Sequence, residues 1–375
     1  MRELALTFLR LGVTAFGGPA AHIALMENEF VRRQAWLTEE EFLDLVGAAN
    51  LIPGPGSSEV ALYVGQKRAG WRGLILAGAC FILPSALIVG LIAYGYVRFG
   101  DLPAAARLIY GIKPVIIVVV LQAGLRLGRT AVKTPFLGLL GAAAIGASFA
   151  GLNIVILLLA AGLASTLRFR FSSRAVGGAL LLMASALTAP VRSAYAAGLE
   201  EIHATLARVF LFFLKIGATQ FGSGYVLLAY LREDLVTRWH WLTEAQLLDA
   251  ISIGQFTPGP VFTTATFVGY LLHGPAGAVV ATVGIFLPAF LLVATSASFI
   301  PRLRKSKATA PFLDGINVAS LALMATVSIQ LARVALVDFR TVALFLASAA
   351  ILLRTRVNSA WLVLAGAAIG FLVAP

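Results

Sequence analysis

Sliding the chain along itself by 205 residues lays one half on the other, and this duplication narrows the possible folds more than any other feature. Phe8-Leu9-Arg10-Leu11-Gly12-Val13-Thr14-Ala15-Phe16-Gly17 meets Phe213-Leu214-Lys215-Ile216-Gly217-Ala218-Thr219-Gln220-Phe221-Gly222. Trp36-Leu37-Thr38-Glu39 meets Trp241-Leu242-Thr243-Glu244, Asp44 meets Asp249, and Pro53-Gly54-Pro55 meets Pro258-Gly259-Pro260. Between Phe8 and Gly56 there are 18 identities in 49 ungapped pairs. After a one-residue slip, Gly70, Gly73, Pro84 and Gly111 meet Gly274, Gly277, Pro288 and Gly315. So long a period, present twice in 375 residues, excludes a solenoid and matches the doubled plan of membrane carriers.

Composition identifies the solvent. With 59% hydrophobic residues, 12% charged and a mean hydropathy of +0.91, the chain is too apolar to bury in a soluble core. A soluble enzyme, a disordered protein and a secreted scaffold are thereby excluded. The 29 Lys and Arg outnumber the 17 Asp and Glu, but they lie in short clusters between apolar runs, which reports orientation in a bilayer rather than nucleic-acid binding. Cys80 is the only cysteine, and His22, His203, His240 and His273 show no ligand spacing, so neither a disulfide, a metal site nor a cofactor is expected. The apolar start, Leu4 to Leu25, resembles a signal peptide, but its copy at Phe210 to Leu231 marks it as structural and retained.

Each half reads the same way. A glycine-interrupted apolar segment (4–27; 206–231) precedes a helix opening at a capping box, Thr38 with Glu41 or Thr243 with Gln246. These helices run into Pro-Gly-Pro and resume, giving broken helices at 39–67 and 244–272. Further apolar spans follow at 72–97, 104–129, 135–150 and 153–167, then at 275–299, 308–332, 339–353 and 357–373, with an unmatched segment, 175–190, between the halves.

Counting each broken helix as one crossing predicts an all-α, polytopic membrane protein of about 13 spans. Lys and Arg then distribute eighteen against six, which puts the N-terminus in the cytoplasm and the C-terminus in the periplasm. Six spans plus the joining one are seven, an odd number, so the expected architecture is two inverted-topology repeats. They are 1–170 and 205–375, with 171–204 as connector.

Five bases fall inside these spans: Arg10, Arg107, Lys113, Arg208 and Lys215. Arg107 and Arg208 start their segments and can snorkel to the headgroups. Arg10 and Lys215 are repeat-equivalent and lie two turns before a glycine break, which suits either a substrate role or pairing with acids such as Asp44 or Asp249. Lys113 is asymmetric, because its counterpart is Asn317.

The breaks carry the expected chemistry. In Thr14-Ala15-Phe16-Gly17-Gly18-Pro19 a helix stops and Pro19 suits the first turn of the next, whose missing amide would have had no partner. Pro53-Gly54-Pro55-Gly56-Ser57-Ser58 and Pro258-Gly259-Pro260 with Thr263 and Thr264 do the same. Backbone amides bare at membrane depth need protein, water or ligand to satisfy them. Amides, hydroxyls and a guanidinium converging on one place form a site for an oxyanion rather than a cation. The expected binding set is therefore the backbone of Gly17, Gly18, Gly54, Gly56, Gly222 and Gly259, the hydroxyls of Thr14, Ser57, Ser58, Thr219, Thr263 and Thr264, the amide of Gln255, and the bases Arg10 and Lys215. Kinking for packing is the plainer explanation of a single break, and four at symmetric positions argue against it. Glu59, in the first turn after Pro53-Gly54-Pro55-Gly56, is the expected proton carrier, ahead of Asp44 and Asp249. An acid beside an oxyanion site repels a dianion when ionised and tolerates it when protonated, although a first-turn acid also simply favours a helix dipole.

The same residues resemble a known family. Phe8 to Ile23, Arg32-Arg33 before Trp36-Leu37-Thr38, Asn50-Leu51-Ile52-Pro53-Gly54-Pro55 with Ser57 and Glu59, and Gly254-Gln255-Phe256-Thr257-Pro258-Gly259-Pro260-Val261-Phe262-Thr263-Thr264 are similar to the chromate ion transporter family, long two-domain type. Gly222-Ser223-Gly224 departs from it, standing where a Gly-Gly-Pro is expected. The resemblance implies chromate efflux across the bacterial inner membrane, chromate resistance, and a secondary, antiporter-type mechanism without ATP hydrolysis. Sulfate, of like shape and charge, is the alternative substrate, and a passive anion channel the alternative mechanism. Expected partners are thus an oxyanion and membrane lipid, with no nucleic acid; a homodimer is left open. A membrane-embedded enzyme would need a His-Asp-Ser set, paired carboxylates in one span or a phosphate-cradling Gly-x-x-x-x-Gly-Lys, and none occurs.

Overall fold

A computed structural model describes residues 1–16, 18–100, 102–170, 203–221, 224–296, 309–355, 357 and 359–374, and among them there is no strand. The joining segment 175–190 and the C-terminal Pro375 lie outside the described residues. In the first half the helices are α1 (Arg2–Thr14), α2 (Pro19–Glu27) continued by a π-turn (Asn28–Arg33), α3 (Glu39–Ala49), α4 (Ser57–Phe99), α5 (Pro103–Ala131), α6 (Pro135–Phe149) and α7 (Ile154–Arg170). The second half has α8 (Leu206–Thr219), α9 (Leu227–Tyr230) continued by a π-turn (Leu231–Arg238), α10 (Glu244–Phe256), α11 (Thr264–Ser296), α12 (Thr309–Ala335), α13 (Phe339–Arg354) and α14 (Ser359–Val373). Among the described residues, four helical stretches are long and apolar enough to cross a bilayer: Ser57–Phe99, Ala106–Ala131, Val261–Ser296 and Thr309–Ala335. Shorter apolar helices run over Pro135–Phe149, Ile154–Phe169 and Trp361–Val373. Both expected capping boxes form, Thr38 with Glu41 and Thr243 with Gln246.

The glycine-interrupted segments turn back on themselves. Arg10 pairs with Glu29, Gln34 donates to the Thr7 hydroxyl at 3.0 Å, and the Phe8 and Phe30 rings lie 5.2 Å apart. As numbers rise along α1 they fall along its partner arm, so the chain reverses between residues 14 and 19. Lys67 meets Glu41 at 2.6 Å, although one continuous helix would hold residues 26 apart at about 39 Å. Arg68 stacks over Trp36 beside them, 4.8 Å from the ring centre. Hence 4–27 and 39–67, expected as single crossings, are hairpins of two short arms. The reason is length: α1 has 13 residues and α3 has 11, whereas crossing a hydrocarbon core takes about 20. The second half repeats the pattern for 206–231 and 244–272. Lys215 pairs with Asp234 at 2.8 Å, Phe212 packs on Trp239 at 5.3 Å, and Gln246 and Leu271 line one cavity.

A further reversal follows each second hairpin. In α4 it falls at Ala69 and Gly70, where Gly70 takes φ 60, and in α11 at His273 and Gly274, where Gly274 takes φ 58. The Thr266 and Thr282 hydroxyls meet at 2.7 Å across the latter turn; a straight helix would separate them by about 24 Å. Only glycine lets the arms close, since a side chain at Gly73 would strike the Gly65 carbonyl and one at Gly277 the Gly269 carbonyl. Gly73→Val and Gly277→Val are each expected to lower stability by about 1–3 kcal/mol by overpacking. Gly90→Val, where a side chain meets open space, should leave the melting temperature in detergent unchanged.

The helices group into two bodies. One holds the four hairpins and the long arms 71–99 and 275–296. The other holds the remaining six helices, with partners exchanged between halves: α5 packs on α13 and α14, and α12 on α6 and α7. Gly111 admits Gly366 and Gly370, and Gly315 admits Ala161 and Ser165, at repeat-equivalent places. Lys133–Asp314 at 2.7 Å and Tyr110–Asp338 at 2.5 Å close the two ends of this body, also at equivalent positions.

Candidate functional site

The four hairpin tips meet inside the first body, and their bonds are reciprocal. The Gly54 amide donates to the Gln220 carbonyl at 2.8 Å, and the Gly259 amide donates to the Ala15 carbonyl at 2.8 Å. Each half thus holds the other at the same pair of equivalent residues. Gly54 at φ 146 and Gly259 at φ 91 lie in backbone conformations that L side chains rarely adopt. A Cβ at Gly54 would meet the Glu59 carboxylate, and one at Gly259 would meet Ser85.

Side chains tie the tips together. His22 contacts the Ala15 carbonyl through Nε2 at 3.1 Å and the Ser57 hydroxyl through Nδ1 at 3.3 Å. A carbonyl only accepts, so the neutral ring carries its proton on Nε2 and Nδ1 is left to accept from Ser57. Ser85, on the long arm of α4, bonds the Thr263 hydroxyl at 3.0 Å, and Thr263 donates to the Pro260 carbonyl at 2.8 Å. Thr264 donates to the Val261 carbonyl at 2.7 Å.

Helix starts at the tips differ from those at the faces. Thr38 and Thr243 cap α3 and α10, but no side chain caps α2 at Gly18 or α4 at Gly56. Uncapped starts are where helix amides remain available to a ligand. Ser58 Oγ and Gln255 Nε2 are buried donors with no partner, and both carboxylate oxygens of Glu59, which is 0% exposed, lack a hydrogen bond of good geometry. Among the described residues no three His, Cys, Asp or Glu gather as a metal would need.

Most of the residues singled out from the sequence lie at these tips: Gly18, Gly54, Gly56, Ser57, Ser58, Glu59, Gln255, Gly259, Thr263 and Thr264. Gly17 and Gly222 fall outside the described residues. Thr14 and Thr219 turn their hydroxyls back to the carbonyls of Arg10 and Lys215, both at 2.7 Å. Arg10 and Lys215 sit lower on their hairpins, and their acids are Glu29 and Asp234 rather than Asp44 or Asp249. Each acid also meets a second base, Arg33 on Glu29 at 3.3 Å and Arg238 on Asp234 at 3.8 Å. Asp249 instead meets Lys113 at 3.0 Å and the Tyr96 hydroxyl at 2.9 Å, away from the tips, while Asp44 is exposed. Sequence reasoning passed over His22, Ser85, Glu29 and Asp234. The last two are repeat-equivalent acids on the arms facing Arg10 and Lys215, a signal that only the hairpin makes readable.

The family model described as chromate transporter matches twice, over residues 2–166 and 207–371. A chromate transport protein of Cupriavidus metallidurans is 32% identical over 380 residues, covering 100% of this chain and 93% of that protein. One of Pseudomonas aeruginosa is 32% identical over 341 residues, covering 88% and 81%. An uncharacterized transporter of Bacillus subtilis is 32% identical over 130 residues, 35% of this chain and 73% of that shorter protein. No solved structure matches. A helical multi-pass membrane protein whose two halves each match the family model, and whose relatives over nearly its full length are named chromate transport proteins, belongs to the chromate transporter family.

Proposed function

We propose that this protein is a secondary carrier that exports chromate, a tetrahedral oxyanion, across the inner membrane of a bacterium and so confers chromate resistance. The observation that carries this reading is the set of four converging tips, with reciprocal Gly54–Gln220 and Gly259–Ala15 bonds and two buried donors, Ser58 and Gln255, that lack partners. Buried donors without acceptors are costly, and an oxyanion would satisfy them. Gly18, Gly54, Gly56, Ser57, Ser58, Gln255, Gly259, Thr263 and Thr264 would line the anion. Arg10 and Lys215 would act at longer range through the charge clusters on Glu29 and Asp234. Glu59 would carry a proton taken up together with the anion, so that proton and oxyanion cross in the same direction.

The membrane path follows from the hairpins. Four re-entrant hairpins and nine crossings, counting the joining segment, replace thirteen crossings in this reading. The repeats, 1–170 and 205–375, remain inverted, because four crossings plus one is still odd. Arg32 and Arg33 move to the cytoplasmic side, Arg232 and Arg238 move off it, and the count of bases stays eighteen against six. The N-terminus is then cytoplasmic and the C-terminus periplasmic.

Counterflow tests the reading. Proteoliposomes preloaded with unlabelled chromate should transiently accumulate labelled chromate above equilibrium. A channel gives equilibration without overshoot, and that result would remove the carrier. Sulfate as the better competitor of labelled chromate uptake would reassign the substrate while keeping the mechanism.

A further inference from the structure

Identical residues of the two repeats sit in opposite surroundings. Leu43 is 57% exposed and its twin Leu248 is 0% exposed. Asp44 is exposed where Asp249 is buried, and Ala24 is exposed where Ala229 is buried. On the outer faces of α1 and α8 the twins match, Leu6 at 57% and Leu211 at 58%. The twins named differ on the hairpin faces that the second half turns toward α5 and α12. There the second-half elements α9 and α10 share one apolar core with the helices of the other body, while the first-half hairpins form a cluster of their own. Each body is symmetric within itself, as the reciprocal tip bonds and the Lys133–Asp314 and Tyr110–Asp338 pairs show. What breaks the symmetry is the position of one body against the other.

We propose that Lys113 is a positioning residue that selects this arrangement from two repeat-related ones. In the alternative, α3 docks where its face is now exposed, bringing Asp44 to Asn317 on α12, and α10 withdraws from α5. This rests on the carrier reading, since a carrier needs two such states. In the present state Lys113 on α5 holds Asp249 on α10 at 3.0 Å, and Tyr96 adds a hydrogen bond at 2.9 Å. The repeat counterpart of Lys113 is Asn317, so that position of the mirrored interface offers Asp44 no cation. A charge-assisted pair in a half-buried interface outweighs a neutral hydrogen bond, which biases the two states on the order of tenfold. A cavity of about 610 Å³, lined by Tyr96, Tyr110, Lys113, Gln246 and Asp249, leaves room at this contact for the bodies to part.

Maleimide modification rates test the proposal in purified protein with Cys80→Ala, carrying Leu43→Cys or Leu248→Cys as a single reporter. With Lys113 present, the reporter at 43 should react fast and that at 248 slowly. Lys113→Asn should speed the reporter at 248 about tenfold and slow the one at 43. Moving the cation, with Lys113→Asn and Asn317→Lys together, should invert the order of the two rates, a result that a merely structural lysine does not produce. Unchanged order in the double variant overturns the proposal. Should that variant not fold, Lys113→Asn alone decides, because rates unaltered by it are equally fatal. Counterflow on the Lys113-containing protein separates the two readings: overshoot with unaltered labelling removes only the positioning role, and inverted labelling without overshoot removes only the carrier.

Discussion

Glu59→Gln is expected to hold oxyanion binding at its acid-side strength across the whole pH range and to uncouple transport from an imposed proton gradient. Glu59 lies in the first turn of the α4 half-helix, 0% exposed, with neither carboxylate oxygen in a hydrogen bond of good geometry. Its carboxylate lies against Gly54, and titratable side chains close by in the chain and fold include His22, held on Ser57, and Tyr63, bonded to Ser296 at 2.6 Å. A dianion in the neighbouring tips is repelled by an ionised carboxylate and accepted by a protonated one. If binding takes up that proton, affinity falls as pH rises, by up to about tenfold per pH unit once the free carboxyl is ionised. Gln reproduces the protonated shape at every pH, so the variant's binding curve should be flat. Calorimetric titration with chromate at stepped pH, together with uptake under a proton gradient, measures both effects. A variant whose binding and transport keep the parent's pH response would leave Glu59 as a first-turn acid that favours the helix dipole.

Gly259→Ala is expected to abolish transport while leaving most of the fold intact. Its φ of 91 disfavours any L side chain, its amide holds the Ala15 carbonyl at 2.8 Å, and a Cβ there would lie 2.6 Å from that of Ser85. Strain of about 1–3 kcal/mol at one tip is small beside the packing of the whole helical fold, but it moves one of the two reciprocal backbone bonds that join the halves at the tips. Gly70→Ala is the control. Its φ of 60 is also strained, yet open space surrounds the added methyl, and it lies away from the tips. Counterflow lost at least about tenfold in Gly259→Ala and much less in Gly70→Ala, with similar melting temperatures, identifies close approach of the tips as the requirement. Equal rates in the two variants would mean that the tips are not the path of the anion.

What the sequence by itself determined is the solvent, the duplication and the places where helices stop. Those properties are local or compositional: charge too sparse for water, identities at one offset, Gly and Pro where a ladder of hydrogen bonds cannot continue, and Thr with Glu or Gln where one begins. Family membership was legible too, because the motifs that carry it are the breaks themselves. Whether a broken segment runs on in one direction or folds back on itself was not legible, since glycine permits both and the period of each arm is the same in either case. Charge could not decide it either. Arg32 with Arg33 and Arg232 with Arg238 exchange sides between the two topologies, so the bias is equal in both. Only contacts between residues distant in sequence resolved it, with Lys67 on Glu41 and Arg10 on Glu29 laying the arms side by side. The same is true of the unequal burial of Leu43 and Leu248: identical residues at equivalent places of the repeat carry no difference to read, and their surroundings are set by how one body sits against the other.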